Sequence, residues 1–459
     1  MDFIAREKEV KAINNLLSQK GYQGGLIYGR RRLGKTALLR HCLLNKEVPC
    51  IFFQCTNASE EKNTADLTEY IESVLHQSSL HFSSFIKALK YIFEYSKEKE
   101  IYVVLDEYQY LRQQIQGIDS LIQALIDAYQ DDSKIKFFLC GSSISIMESL
   151  LSAGNPLYRR LHLIMELQEL DYYDAAKFYP SFSNEDKVKL YAAFGGIPFY
   201  LCQIDSNKTV KDNIITLFTG PYAGLESEIT INLMQEISKL SNANDVFEAI
   251  ALGAFHFSDI LNKSHLKFSA SLNLVLKKLM DMDLIEKVAP INDPNNKNRC
   301  GYRIKDNPTK FFFHYLNKQG SRKNILNPDT FYDVIISQDF ETKYVPKAFE
   351  TIAKQFLIRL NEANRLKPLL LNIGTYWYDD PKKHQNGQFD VVGESKDGYV
   401  FYEVKFRNRQ IDDKTIEEEI KEVKKTVLNP VQYGFISKSG FSLNDKYSYQ
   451  FFTLDDMYA

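Results

Sequence analysis

Residues Gly29-Arg30-Arg31-Arg32-Leu33-Gly34-Lys35-Thr36 fit the spacing G-x-x-x-x-G-K-[ST] and lie between an apolar run, Gly24–Tyr28, and a helical pattern. That context points to a parallel sheet whose first strand-to-helix turn wraps a phosphate. Glycines let the loop curl so that its N–H groups face the β-phosphate. Lys35 neutralises the β/γ oxygens, and the Thr36 hydroxyl ligates Mg²⁺. The whole stretch, with Gly29, Gly34 and the intervening Arg30, Arg31, Arg32 and Leu33, is therefore the candidate ATP-binding loop. The arginine run has a plainer reading beside this one, as a solvated loop face.

A second segment fits the same chemistry. Ile101–Leu105 is an apolar strand that ends in Asp106 and Glu107. Asp106 at the strand end completes the Mg²⁺ shell, and Glu107 orients or deprotonates the attacking water. A further strand, Phe137–Cys140, runs into Gly141-Ser142-Ser143, where a hydroxyl either contacts the γ-phosphate or caps the next helix. Apolar runs here and at Cys50–Gln54 alternate with helical patterns at 5–20, 66–76, 82–97 and 117–130, the mark of a parallel sheet with crossover helices.

At 459 residues the chain is long enough for about three domains. Lys plus Arg number 57 against 59 Asp plus Glu, a net charge of −2, so no global positive field advertises nucleic acid or membrane and any such contact is local. The six cysteines, Cys42, Cys50, Cys55, Cys140, Cys202 and Cys300, show no metal-ligand spacing and read as buried thiols in a reducing, cytoplasmic compartment. The start of the chain, Met1 to Glu9, is charged, and no run approaches 18 apolar residues, so neither secretion nor membrane insertion is expected.

Past residue 164 the pattern becomes helical, broken at Pro180, Gly195–Pro198 and Gly220-Pro221, and reads as a lid over 165–239 on the 1–164 core. Residues 240–316 give three helices (245–254, 258–262, 270–282) and two strands (Leu284–Val288, Cys300–Lys305) around the polar loop Asn292–Asn298, the order of a winged helix-turn-helix. Its candidate recognition helix carries Lys277 and Lys278, a thin basic footprint for DNA. A Lys-, Asn-, Asp- and Pro-rich linker occupies 317–339.

The last unit, 340–459, reads helix 344–361, strands 369–375, 388–393 and 399–405, helix 412–427 and strand 431–437. On the strand Tyr399–Lys405, Glu403 and Lys405 share one face. Hairpin pairing sets Asp390 beside Glu403, giving carboxylates to share Mg²⁺ or Mn²⁺ and a lysine to hold a phosphate or activate water. The plainer reading makes Asp390 a turn cap and Glu403–Lys405 a structural pair. Seven basic and seven acidic residues between Glu403 and Lys425 announce no basic channel.

The motifs Phe3-Ile4-Ala5-Arg6-Glu7, Gly29–Thr36, Leu105-Asp106-Glu107-Tyr108-Gln109, Gly141-Ser142-Ser143, Pro156-Leu157-Tyr158-Arg159-Arg160 and Gly195-Gly196-Ile197-Pro198 together resemble the AAA-like P-loop ATPases abundant in archaea and found in bacteria, related to the STAND group. The resemblance implies that Phe3–Arg6 and Gly195–Pro198 lie near the base and ribose, and that Arg159 or Arg160 reaches a γ-phosphate. Ala5 stands where that family usually has glycine. The C-terminal unit resembles the PD-(D/E)XK nuclease superfamily, which implies Asp390, Glu403 and Lys405 as catalytic residues and Glu350, on the preceding helix, as a third metal carboxylate. Phe389 replaces the proline of that superfamily's name.

The expected whole is an α/β P-loop ATPase with a helical lid, then a winged helix, then a restriction-endonuclease-like domain. It hydrolyses ATP and acts on DNA. The competing reading is a nucleotide-driven switch or assembly scaffold, a homo-oligomer whose nuclease-like unit is inert.

Overall fold

The computed structural model describes residues 3–44, 47–237, 242–296, 299–380, 385–444 and 446–459. Met1 and Asp2 of the charged start, and the last two residues of the polar loop 292–298, lie outside the described residues. The chain divides into two compact units, Met1–Glu169 and Leu170–Ala459.

The first unit is built on five parallel strands: β1 Gln23–Tyr28, β2 Cys50–Gln54, β3 Ile101–Asp106, β4 Ile135–Gly141 and β5 Leu163–Glu166. They lie in the order β2-β3-β4-β1-β5. Every residue of β1, β3 and β4 is buried, as strands covered on both faces by crossover helices must be. Val103, Leu105, Phe137 and Leu139 pack against Ile71, Leu89, Ile92 and Ile122 of the helices Glu60–Leu75, Phe85–Glu98 and Ile118–Tyr129. Strand β5 begins two residues short of the segment expected to turn helical. It is only four residues long, Leu163-Ile164-Met165-Glu166, and half exposed, too short for its apolar run to stand out as a strand.

The second unit begins with the short helices expected of a lid, which cluster with the C-terminal residues. Three helices, Ala243–Ala251, Phe257–Lys263 and Ser269–Asp281, follow with an antiparallel pair, β6 Ile285–Val288 and β7 Gly301–Ile304, around a core of Val246, Phe247, Leu272, Leu276, Ile285 and Ile304. The stretch taken from its composition as a linker is largely helical: Gly320–Ile325, Pro328–Phe331 and the turns that lead into Val345–Glu362. Asn327 caps one of these helices through the Thr330 N–H at 2.8 Å; a polar, proline-bearing sequence marks a helix start as readily as a loop.

A second sheet runs β14-β12-β10-β9-β8, from β8 Leu370–Asp380, β9 Gln385–Ser395, β10 Tyr399–Lys405, β12 Pro430–Ser437 and β14 Gln450–Thr453, with β11 Ile411–Asp412 and β13 Phe441–Ser442 forming a small pair. The β8–β9–β10 pairings are antiparallel and β10–β12–β14 parallel. The helix Val345–Glu362 packs on β8, β9 and β10. Pro290, just after β6, bridges to Thr375 on β8, and the Ile291 N–H donates to the Thr375 carbonyl at 2.9 Å, so the three-helix segment is fastened to the edge of this sheet.

Candidate functional site

In the first unit the carboxyl ends of β1, β4 and β3, adjacent in the sheet, each deliver one part of the site, where open α/β sheets place their ligands. The loop after β1 is held by close approach. Gly29 has φ 143°, and a Cβ there would lie 2.4 Å from the Leu167 carbonyl oxygen. Gly34, at φ 85°, opens the helix Lys35–Leu43. Arg32 also takes a positive φ, 71°, and Arg31 is exposed with one bond to the Tyr110 hydroxyl at 3.3 Å. Arg30 faces Glu169 at 3.6 Å.

Lys35 is buried, and its ammonium donates to the carbonyls of Gly29 (2.8 Å) and Arg30 (2.7 Å). Burial pushes its pKa down, while the nearby Asp106 and Glu107 pull it back up. The Thr36 hydroxyl donates to Asp106 Oδ2 at 2.7 Å. Two hard oxygen donors, one from the loop and one from the end of β3, therefore converge on one point, a donor set that suits Mg²⁺. Glu107 follows in a left-handed conformation, φ 55°, an uncommon state for a residue with a Cβ that tends to concentrate at functional sites. Its Oε2 accepts from the Ser142 hydroxyl at 2.7 Å and from the Gln109 amide. Ser142 is thus joined to Glu107, whereas the next helix takes no side-chain cap from Ser143.

The amino-terminal motif braces this loop. Arg6 is buried, and its guanidinium donates to the carbonyls of Leu33 (3.3 Å) and Gln168 (2.5 Å) and pairs with Glu9 at 3.0 Å. Ala5 has φ 63°, a backbone state that glycine adopts at no steric cost. Phe3 stacks on His41 with ring centroids 4.3 Å apart, at the side of a cavity of about 500 Å³ lined also by Ala5, Val10 and Asn14. Arg160 is engaged elsewhere: its guanidinium grips both Asp127 oxygens at 2.7 and 2.8 Å. Arg159 is exposed and lies over the Tyr158 ring. Of the six thiols Cys202 is exposed and Cys50 half-buried, contrary to the expectation that all are covered.

In the second unit the acids expected to share one metal fall into two groups. Lys347 places its ammonium 2.7 Å from Glu350 and 2.9 Å from Asp390. Burial and the Asp390 charge push Glu350 up to about 7. Asp390, despite its own burial, is held below its usual value by Lys347. Glu403 instead shares Lys405 with Glu419, an acid on the helix Asp413–Val423 that no motif singles out. Burial and the Glu419 charge push Glu403 up to about 7. The β9–β10 register stops at Tyr402–Val391, one step before Asp390 and Glu403 would face each other. Among the described residues no three acids, histidines or cysteines gather as a metal-holding group. Glu350 and Asp390, two carboxylates already sharing one cation, suit a divalent ion as a pair.

Loop, acid pair and strand order define the first unit as a P-loop ATPase fold. Residues 3–204 match an ATPase domain found predominantly in Archaea, and residues 312–421 match a family of archaeal and bacterial proteins of unknown function. Over residues 3–204 the chain is thus similar to this predominantly archaeal ATPase domain. An uncharacterized protein of Methanocaldococcus jannaschii is 28% identical over 411 residues, 88% of each chain. Another from the same organism is 30% identical over 92 residues, 19% of this chain and 87% of its own. Among solved structures, the Walker-type ATPase of Pyrococcus abyssi is similar in fold, with a TM-score of 0.51 and 21% identity, covering 68% of this chain and 96% of that one. No helix among the described residues is long and apolar enough to cross a membrane.

Proposed function

We propose that this protein binds and hydrolyses ATP with Mg²⁺ and uses the nucleotide to control a DNA-acting second unit. The observation that carries the ATP reading is the 2.7 Å bond from Thr36 to Asp106 with Glu107 beside it. Thr36 and Asp106 would hold Mg²⁺, which would neutralise phosphate charge when bound; Lys35 would exchange the loop carbonyls for the β/γ-phosphates, and Glu107 would take a proton from the attacking water. The cavity at Phe3 and His41 supplies an aromatic wall for the base.

Two variants test this. Lys35→Ala removes the cation at the phosphates and abolishes both turnover and most binding. Glu107→Gln keeps Asp106 for the metal, so ATP is retained while hydrolysis stalls. Wild-type turnover in Glu107→Gln would refute the role given to that acid.

In the second unit three helices and the pair β6–β7 support a winged-helix reading, with Lys277 and Lys278 exposed on its third helix. The mixed sheet with its flanking helix supports a nuclease-like reading, with Asp390 and Glu350 as metal ligands and Glu403 and Lys405 as neighbouring catalytic groups. One observation favours the alternative, a switch or assembly scaffold with an inert unit: Lys347 already fills the gap between Glu350 and Asp390. Metal-dependent nicking of supercoiled plasmid supports the first reading; nucleotide-driven oligomerisation without DNA affinity supports the second.

A further inference from the structure

Gln109 opens the short helix Gln109–Gln114, two residues after Glu107, and is 3% exposed. Its amide nitrogen donates to Glu107 Oε2 and to the Ser142 hydroxyl oxygen at 3.1 Å, while that hydroxyl donates to the same Oε2 at 2.7 Å. Groups from the ends of β3 and β4 thus close a ring around one carboxylate oxygen. Among the described residues no hydrogen bond reaches the other oxygen, Oε1. A base held through one oxygen and open at the other has a fixed direction in which to take a proton.

The orientation of the Gln109 amide follows from its partners. Turned over, it would set an amide oxygen against a carboxylate oxygen, two acceptors with no proton between them. In the observed orientation its own Oε1 is buried without a hydrogen-bond partner, which costs the desolvation of that oxygen. Space for the side chain is kept by Gly141, where a Cβ would come within 2.5 Å of that same oxygen. An unpaired acceptor is thus tolerated in order to present two N–H donors, one to the catalytic acid and one to the serine beside it.

We propose that Gln109 is a positioning residue for ATP hydrolysis, holding the Glu107 carboxylate by Oε2, together with Ser142, so that Oε1 faces the attacking water. The proposal rests on the assignment of Glu107 as the base. It predicts a defect in the chemical step alone, because Gln109 bonds neither Lys35, Thr36 nor Asp106.

Steady-state ATP hydrolysis, ATP affinity and melting temperature are measured on the full chain as wild type, Gln109→Met and Gln109→Glu. Gln109→Met keeps length and loses both donors; its kcat falls roughly 10–100-fold, with KM and ATP affinity kept within about twofold. Gln109→Glu shows the same loss near about pH 8, where two carboxylates face each other, and regains rate relative to wild type toward about pH 6, where the introduced acid is protonated and again donates. A structural role would not move with pH in this way. If Gln109→Met retains its kcat, or loses it only in step with ATP affinity or melting temperature, the proposal is overturned while Glu107 keeps its role. Absence of turnover in the wild type overturns the reading of Glu107 and the proposal with it.

Discussion

Ala5 illustrates what a single residue can report. Its φ of 63° lies where a Cβ meets the following carbonyl, a clash that glycine avoids. Ala5→Gly is therefore expected to stabilise the first unit by about 0.5–1 kcal/mol, read as a shift in the denaturation midpoint at unchanged slope. A loss of stability would mean that the methyl group packs better than its backbone suffers. The thiols separate by position in the same way. Cys202 is exposed and should be alkylated first by iodoacetamide, whereas Cys55 and Cys140, buried and pushed far up in pKa by that burial, should react only after unfolding. Peptide mass mapping checks the order. At this scale the phosphate loop, Asp106 and Glu107 were legible because their chemistry is local in sequence. Gln109 stands in the same motif, but its role depends on Ser142, 33 residues away, and no local pattern shows that bond.

Secondary-structure elements were legible where their burial is simple. Strands β1, β3 and β4 are covered on both faces and so read as apolar runs. Strands β5 and β14 are half exposed and were missed. The helix Asn307–Tyr315 shows a further limit. It falls at the end of the three-helix segment and carries Lys310 into a half-buried setting near Arg303 and Lys347, with Glu350 and Glu286 also close. Burial, with the charges of Arg303 and Lys347, pushes Lys310 down to about 8. Its folded pKa lies below the unfolded value near 10.4, so between about pH 8 and 10 the unfolded chain binds more protons and this residue's contribution to stability rises with pH. Lys310→Met should raise the melting temperature at about pH 7, where the wild type must hold the buried charge, and flatten the dependence across that window. Destabilisation at neutral pH would show that the ammonium is better solvated than its neighbours indicate.

Across the whole molecule the two units should respond to different ligands. ATP with Mg²⁺ should slow amide hydrogen exchange in the first unit, around Gly29–Thr36 and Asp106. The second unit tests whether its carboxylates serve a metal. The pairing of Asp390 with Glu350 arises because Lys347, one helical turn before Glu350, reaches both, a contact that the pattern of acids alone does not reveal. Since this ammonium already occupies the position between the two acids, Mn²⁺ should add little to the stability of the wild-type unit. Lys347→Met leaves two carboxylates facing each other, which lowers stability until a cation returns. Mn²⁺ at ten times its dissociation constant should then restore about 1.4 kcal/mol, and adding Asp390→Asn should remove that response. Calorimetry and hydrogen exchange in Lys347→Met decide between the readings of this unit. A metal response confined to the variant marks a site that Lys347 keeps closed, whereas no response in either form leaves the lysine-bridged acids as structure and favours the scaffold.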